Sequence, residues 1–158
     1  MLNENDSSKI RCTASIAALP AKVWEALTST AFTQQYWAGR HIVSTWKPGA
    51  SVQMLKADGH VEWEGEIVKA AAPRLLTYTF LVPRVEPGAT EPESLVTFEL
   101  IPVSIATEVS LTHEGFPPDS ANFRCMSKAW PAILGNLRNL LETGKTSELS
   151  AWEALQVS

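Results

Sequence analysis

The chain has 158 residues, of which 45% are hydrophobic and 19% charged, as is typical of one globular domain with a full core. Its net charge of −4, without a basic cluster, argues against a nucleic-acid partner. No secretory signal and no run of about 20 apolar residues is present, so we expect a cytoplasmic protein without a membrane partner. Cys12 and Cys125 lie far apart without a CxxC motif, which favours free thiols in a reducing compartment.

The first part of the chain predicts one strand and two short helices. Polar and apolar residues alternate from Ile10 to Ile16, which indicates a half-buried strand. Pro20 then opens a short helix. The apolar face of that helix is formed by Val23, Trp24 and Leu27. A second short helix is predicted over residues 31–37.

Period-two alternation returns after the second helix and predicts six further strands, at residues 41–46, 51–55, 61–67, 75–81, 96–100 and 109–113. In the strand at 61–67, Trp63 is predicted to face inwards. The charged outer face of that strand is predicted to consist of Glu62, Glu64 and Glu66. A bulge at Gly65 would exchange the two faces and is the alternative. The loop at 83–93 is too long for a hairpin turn, so we expect it to form a mobile rim.

The last predicted element is one long helix. Apolar residues recur at spacings of three and four, which predicts a buried stripe formed by Phe123, Met126, Trp130, Ile133, Leu137 and Leu140. Asp119 or Ser120 is expected to cap the N-terminus of the helix, and Gly144 to end it. Pro131 should kink the helix, either as a tolerated bend or as a shaped cavity wall with a free carbonyl.

Together these elements predict an α+β fold. A curved antiparallel sheet of about six to seven strands wraps a long C-terminal helix, and two short helices follow the first strand. We expect a single domain over residues 10–144, a polar N-terminal extension over 1–9 and a short amphipathic tail over 145–158. The tail is expected to pack on the domain or on a second copy in a homodimer, because three apolar residues recur in it at three-residue spacing: Leu149, Trp152 and Leu155.

Several short motifs occur in an order and spacing that resemble one known family. They are IAALPAKVWEALT at 16–28, Trp37, GEIV at 65–68 followed by PRL at 73–75, TEVSLTH at 107–113, WP at 130–131 and LLETG at 140–144. The sequence resembles the family of homologues of the activator of heat-shock-protein-90 ATPase (Aha-type, C-terminal-domain-like), within the START-like or SRPBCC superfamily. The resemblance covers residues 10–144 and implies the START-like, Bet v-like helix-grip fold, in which a sheet curls around a C-terminal helix.

The resemblance implies less about function, because the superfamily includes lipid and polyketide carriers, cyclases and chaperone regulators. A stress-related role and a chaperone partner are among its implications. The eukaryotic activator has a separate N-terminal chaperone-binding domain, and we expect no such domain before Ile10. We therefore expect a small apolar molecule, in preference to a chaperone, as the partner.

The sequence contains no motif for a nucleophile elbow, a phosphate-binding loop, a dinucleotide site or a zinc-binding helix. We therefore expect neither an organic cofactor nor a metal. His113 is the best candidate for chemistry, because it shares an inward face with Val109 and Leu111 and could act as an acid or a base. The competing interpretation is a core histidine whose ring is satisfied by a backbone carbonyl.

The favoured function is non-catalytic binding of a small hydrophobic or aromatic molecule in a cavity between the sheet and the last helix. The predicted lining of that cavity consists of Trp37, Trp63, Tyr78, Phe80, Phe98, His113, Phe116, Phe123, Met126 and Trp130. The first alternative is a cofactor-free enzyme of cyclase or hydrolase type that uses His113 with Tyr78 or a carboxylate. The second alternative is a chaperone-binding regulatory module.

Overall fold

One antiparallel sheet of seven strands and three helices make up residues 9–146, the part of the chain described in a computed structural model. In chain order the elements are β1 (Lys9–Ile16), α1 (Pro20–Thr28), α2 (Thr30–Tyr36), β2 (His41–Ser44), β3 (Ser51–Leu55), β4 (Val61–Ala71), β5 (Leu75–Phe80), β6 (Ser94–Val103), β7 (Ala106–Glu114) and α3 (Ala121–Thr143). The strand order is β1-β7-β6-β5-β4-β3-β2. The chain therefore meanders from β2 to β7, and β1 closes the sheet by pairing with β7.

Apolar residues on one face of the sheet bury themselves against α3, as the period-two alternation predicted. This face is formed in the last three strands by Leu76, Tyr78, Phe80, Val96, Phe98, Leu100, Val109, Leu111 and His113. The two short helices follow β1 and complete the core. The predicted helix-grip fold, with a curved sheet around a long C-terminal helix, is confirmed.

Helix α3 begins and ends where the sequence indicated. Ser120 is the N-cap, because its Oγ accepts a hydrogen bond from Phe123 N at 2.9 Å. Gly144, with φ of 78°, forms the left-handed C-cap. The stripe is confirmed: Phe123 is partly buried, and the buried positions are Met126, Trp130, Ile133, Leu137 and Leu140.

Several predicted strand ends differ from the structure by one to four residues, and two differences, one in a helix and one in a strand, have a clear physical reason. Pro131 lies on the exposed side of α3, and the helix continues through it, so Pro131 is no cavity wall. Strand β2 ends at Ser44 instead of residue 46. Trp46 has φ of 63°, a left-handed conformation that a strand cannot use, and its N–H donates to Ser44 Oγ at 3.0 Å.

The predicted outer carboxylate face of β4 is wrong for Glu62. Met54 pairs with Trp63 while Leu55 pairs with Val61, so Glu62 is an extra residue in a β-bulge. The bulge turns its side chain inwards, and Glu62 is buried next to the buried Trp63. Glu64 and Glu66 stay on the outer side, so the alternation holds beyond the bulge.

Gly65 is not the bulge; it pairs regularly with Val52. It is instead a point of close approach between β4 and β5. A Cβ atom at this position would lie 1.8 Å from the carbonyl oxygen of Thr79. Only a glycine lets the two backbones approach this closely.

The predicted C-terminal tail residues Leu149, Trp152 and Leu155 lie outside the described residues. Within residues 9–146, no helix is long and apolar enough to span a bilayer.

The stripe on α3 predicts opposite outcomes for two adjacent residues. Leu137 is fully buried and Arg138 is exposed. Leu137→Ala should lower the free energy of unfolding by about 2–5 kcal/mol, because it leaves a cavity in the core. Arg138→Ala should change it by less than about 0.5 kcal/mol. Urea titration of both variants checks this, and equal destabilisation would contradict the assigned face.

Gly65 and Gly135 provide a second matched pair. Gly65→Ala should destabilise the protein by about 1–3 kcal/mol, because β4 and β5 must move apart to admit the methyl group. A Cβ on Gly135, within α3, meets nothing within 4 Å. Gly135→Ala should therefore stabilise the protein by about 0.5–1 kcal/mol through helix propensity. Thermal unfolding of both variants is the measurement, and a neutral Gly65→Ala would refute the close approach.

Candidate functional site

A groove of about 500 Å³ opens where β4 begins, β5 ends and α3 starts. Its floor is apolar and consists of Val61, Trp63, Phe80, Val82 and Met126. One side of the rim is formed by Pro83 and Arg84, which follow β5, and the other by the first two turns of α3. The volume lies within the range of about 300–1,000 Å³ that is usual for small-molecule sites.

Trp63 gives the floor its rigidity. Its ring stacks on the ring of Tyr78 with a centroid distance of 5.1 Å and an interplanar angle of 4°. It also contacts the ring of Phe80 at 5.0 Å. Aromatic pairs in such geometries add to the stabilisation from burial. The floor is therefore preformed by side chains that belong to the core.

Glu62 reaches the same groove because of the bulge in β4, and Arg40 holds it there. The guanidinium of Arg40 donates two hydrogen bonds to the carboxylate, from Nε to Oε1 at 2.6 Å and from Nη2 to Oε2 at 3.3 Å. Nη1 of Arg40 donates to the carbonyl of Ala38 at 2.9 Å. A buried carboxylate needs such a partner, so Arg40 neutralises the charge of Glu62.

The loop between β5 and β6 is tied to the beginning of α3. The carboxylate of Glu91 accepts hydrogen bonds from Ala121 N at 2.7 Å and from Asn122 N at 3.2 Å. Its other oxygen accepts a bond from Ser120 Oγ at 2.6 Å. Glu91 thus adds a second cap to the helix and complements its dipole. The loop predicted as a rim does border the groove, through Pro83 and Arg84.

The charged side chains of the groove are mostly basic: Lys56, Arg84, Arg124 and Lys128. Arg84 Nη2 donates to Asn122 Oδ1 at 2.8 Å, which directs the guanidinium towards α3. Cys125 lies in the same wall. Burial raises the pKa of the Cys125 thiol, the charge of Glu62 raises it further, and Arg84 lowers it.

The structure divides the ten predicted lining residues into two sets. Trp63, Phe80 and Met126 line the groove. The other seven belong to the packed core beside it: Trp37, Tyr78, Phe98, His113, Phe116, Phe123 and Trp130. Ring contacts join all of the predicted residues except Met126 into one continuous chain from Trp37 to Phe123.

His113 is fully buried and fully hydrogen-bonded. Trp130 Nε1 donates to its Nδ1 at 2.9 Å, so Nδ1 is an acceptor and the neutral ring carries its proton on Nε2. Nε2 lies 2.7 Å from Ser94 Oγ and donates to it. Burial lowers the pKa of His113 to about 3. These contacts favour the core-histidine interpretation, although the partners are side chains and not a backbone carbonyl.

Two buried indole groups near the floor have no hydrogen-bond partner among the described residues. They are the Nε1 atoms of Trp37 and Trp63, whose rings are 6.2 Å apart. An unpaired buried N–H costs free energy, so these donors weaken the core at the point where it borders the groove.

Sequence reasoning missed the basic wall and the Arg40–Glu62 pair. Arg124 and Lys128 are four residues apart on a predicted helix, and this spacing is a signal that they share a face. Arg40 and Glu62 are 22 residues apart and meet only in the folded chain. Within residues 9–146, no group of three or more His, Cys, Asp or Glu side chains is arranged to hold a metal.

One family model matches most of the chain. Residues 17–142 match the family described as "Activator of Hsp90 ATPase homolog 1-like protein". The chain belongs to this family. A comparison with curated proteins gives no match.

Solved structures of similar fold include a Mesorhizobium loti protein at 24% identity and a TM-score of 0.74, with 85% of this chain and 96% of that chain covered. The solution structure of an Aha1 dimer from Colwellia psychrerythraea matches at 20% identity and a TM-score of 0.71, covering 87% and 98%. A Plasmodium falciparum protein titled an HSP90 activator matches at 19% identity and a TM-score of 0.69, covering 85% and 96%. These likenesses establish the shared fold of this family member.

The buried state of His113 predicts a pH dependence of stability. Its pKa is lowered to about 3 in the folded protein, whereas about 6.5 is usual for an exposed histidine. Below about pH 6.5 the unfolded chain binds a proton that the folded chain excludes. The free energy of unfolding therefore has its full contribution from the neutral His113 above that pH, and this contribution is lost as the pH falls towards 3. The loss should approach about 1.4 kcal/mol per pH unit.

Urea unfolding at a series of pH values measures this effect in the wild type and in His113→Gln, which lacks the titrating ring. The stability advantage of the wild type should shrink between about pH 6.5 and 4. In parallel, the ring resonances of His113 in the wild type should not titrate above about pH 5. A constant advantage together with a titrating ring would contradict the buried neutral state.

Proposed function

We propose that this protein binds a small hydrophobic or aromatic molecule, without transforming it, in the groove between the sheet and α3. The observation that carries the proposal is the apolar floor of an open groove of about 500 Å³, in which Trp63 is held by stacking on the core residue Tyr78. Such a floor binds apolar surface at little cost in ordering, because its side chains are already fixed by the core. A cytoplasmic location is part of the proposal, and the two free cysteines are in keeping with it.

The enzymatic alternative finds less support in the geometry. Both ring nitrogens of His113 are engaged, and the ring has no exposed surface through which it could reach a substrate. The carboxylate in the groove, Glu62, is held by two hydrogen bonds from Arg40. Catalysis by proton transfer needs a titratable group within reach of the substrate, and neither residue provides one in this arrangement.

A chaperone-binding role is the second candidate, and one surface feature favours it. The tip of the β6–β7 hairpin exposes three apolar side chains: Ile101, Val103 and Ile105. Exposed apolar patches are typical of protein-binding surfaces. The structural relatives titled an HSP90 activator and an Aha1 dimer make a chaperone or a second copy the natural occupants to test.

The ligand proposal predicts a stabilisation that depends on access to the groove. In a library of small aromatic and fatty compounds, a true ligand at about 100 times its dissociation constant should add roughly 2.7 kcal/mol to the free energy of unfolding. It should also quench tryptophan emission, because Trp63 lies in the floor. Ala121→Phe should abolish both signals by filling the rim. Thermal shift and fluorescence titration are the measurements.

Ala31→Phe is the matched control, because it introduces the same ring at an exposed alanine in the first turn of α2, outside the groove. It should bind the ligand like the wild type. If no compound changes either signal in the wild type, the ligand proposal fails and binding through the hairpin surface becomes the better account. Native mass spectrometry of the purified protein then measures the number of chains in the assembly and the mass of any molecule that remains bound.

A further inference from the structure

We infer that the groove selects amphipathic anions, molecules with an apolar body and one acidic head such as a carboxylate. The apolar body lies on the floor formed by Trp63, Phe80 and Met126, and the head lies at the rim beside Arg84, Arg124 and Lys128. The inference rests on the proposed function, because it assigns the chemical class of ligand for the same groove.

The first argument is the sign of the local charge. The chain as a whole carries a net charge of −4, yet the groove is lined by four basic residues and one acidic residue. The acidic residue, Glu62, is neutralised by Arg40. These basic side chains are exposed at the rim above an apolar floor, where their summed positive potential attracts anions. The groove is therefore a positive site on a negative protein.

The second argument is that the basic groups at the rim lack counter-ions. Within residues 9–146, the ion pairs involve other cations: Lys9, Lys22, Arg40, His60 and Arg138. Arg124 and Lys128 are exposed and lie one helical turn apart, a placement in which like charges repel. A bound anion would relieve this repulsion.

The third argument concerns which groups are left to bind the head. The N-terminus of α3 borders the groove, but Glu91 already accepts bonds from the N–H groups of Ala121 and Asn122. An external anion must therefore be bound by side chains. Arg84 uses one terminal nitrogen to contact Asn122, and its planar fork leaves further N–H donors for a carboxylate.

Three probes with the same ten-carbon chain test the inference: decanoate, decanol and decyltrimethylammonium, each below its micelle concentration. Isothermal titration calorimetry in low salt should show decanoate binding about tenfold more tightly than decanol, and decyltrimethylammonium more weakly than both. The advantage of decanoate should shrink as salt is raised to about 0.3 M, because screening weakens exposed charge pairs.

Replacing Arg124→Gln and Lys128→Gln together should reduce the advantage of decanoate to less than about threefold. The matched control is Arg138→Gln, on the same helix but outside the groove, which should keep the full advantage. Thermal unfolding of each variant verifies that it is folded.

The outcomes separate the two proposals. Equal binding of decanoate and decanol to the wild type overturns the anion inference and leaves apolar binding supported. An advantage for decanoate that survives in the double variant also overturns the inference. Binding of none of the three probes also overturns the inference, and the library of aromatic and fatty compounds then decides the proposed function separately.

Discussion

A single neutral histidine joins the sheet to the helix, and the shape of the groove depends on it. An apolar stripe holds a helix against a sheet but specifies its rotation only loosely, whereas a hydrogen bond fixes it. His113, on β7, accepts a bond from Trp130 on α3 and donates one to Ser94 on β6. Since Trp130 is one turn beyond Met126, this anchor also determines which residues of α3 face the groove.

Burial gives this anchor its strength and limits its chemistry. The same desolvation that lowers the pKa of His113 keeps the ring neutral, and only the neutral ring can accept the hydrogen bond from the indole N–H of Trp130. A neutral histidine with both ring nitrogens hydrogen-bonded is not available as a general acid or base. If the groove binds a ligand as proposed, its selectivity would come from shape and from the charges at its rim.

The sequence predicted the fold well because each element carries its own period. Alternation along β5, β6 and β7 and the stripe along α3 are local signals, and the structure follows them closely. The residues of the groove were predicted less completely than the fold. Periodicity shows that Trp37, Phe98 and Trp130 face inwards, but core-filling and groove-lining rings have the same pattern. The Arg40–Glu62 pair depends on a bulge and on a contact between distant segments, which no local pattern records.

The bulge in β4 moves one residue, Glu62, from the outer to the inner face of the sheet. Glu62 follows the first residue of the strand and is the added position in the pairing of β4 with β3, whereas a second irregularity lies between Ile67 and Lys69 in the pairing with β5. Removing Glu62 would restore a regular pairing of β4 with β3 and would take away the carboxylate that Arg40 binds. Deletion or insertion of a single codon during evolution would therefore remove or create the ion pair in the groove.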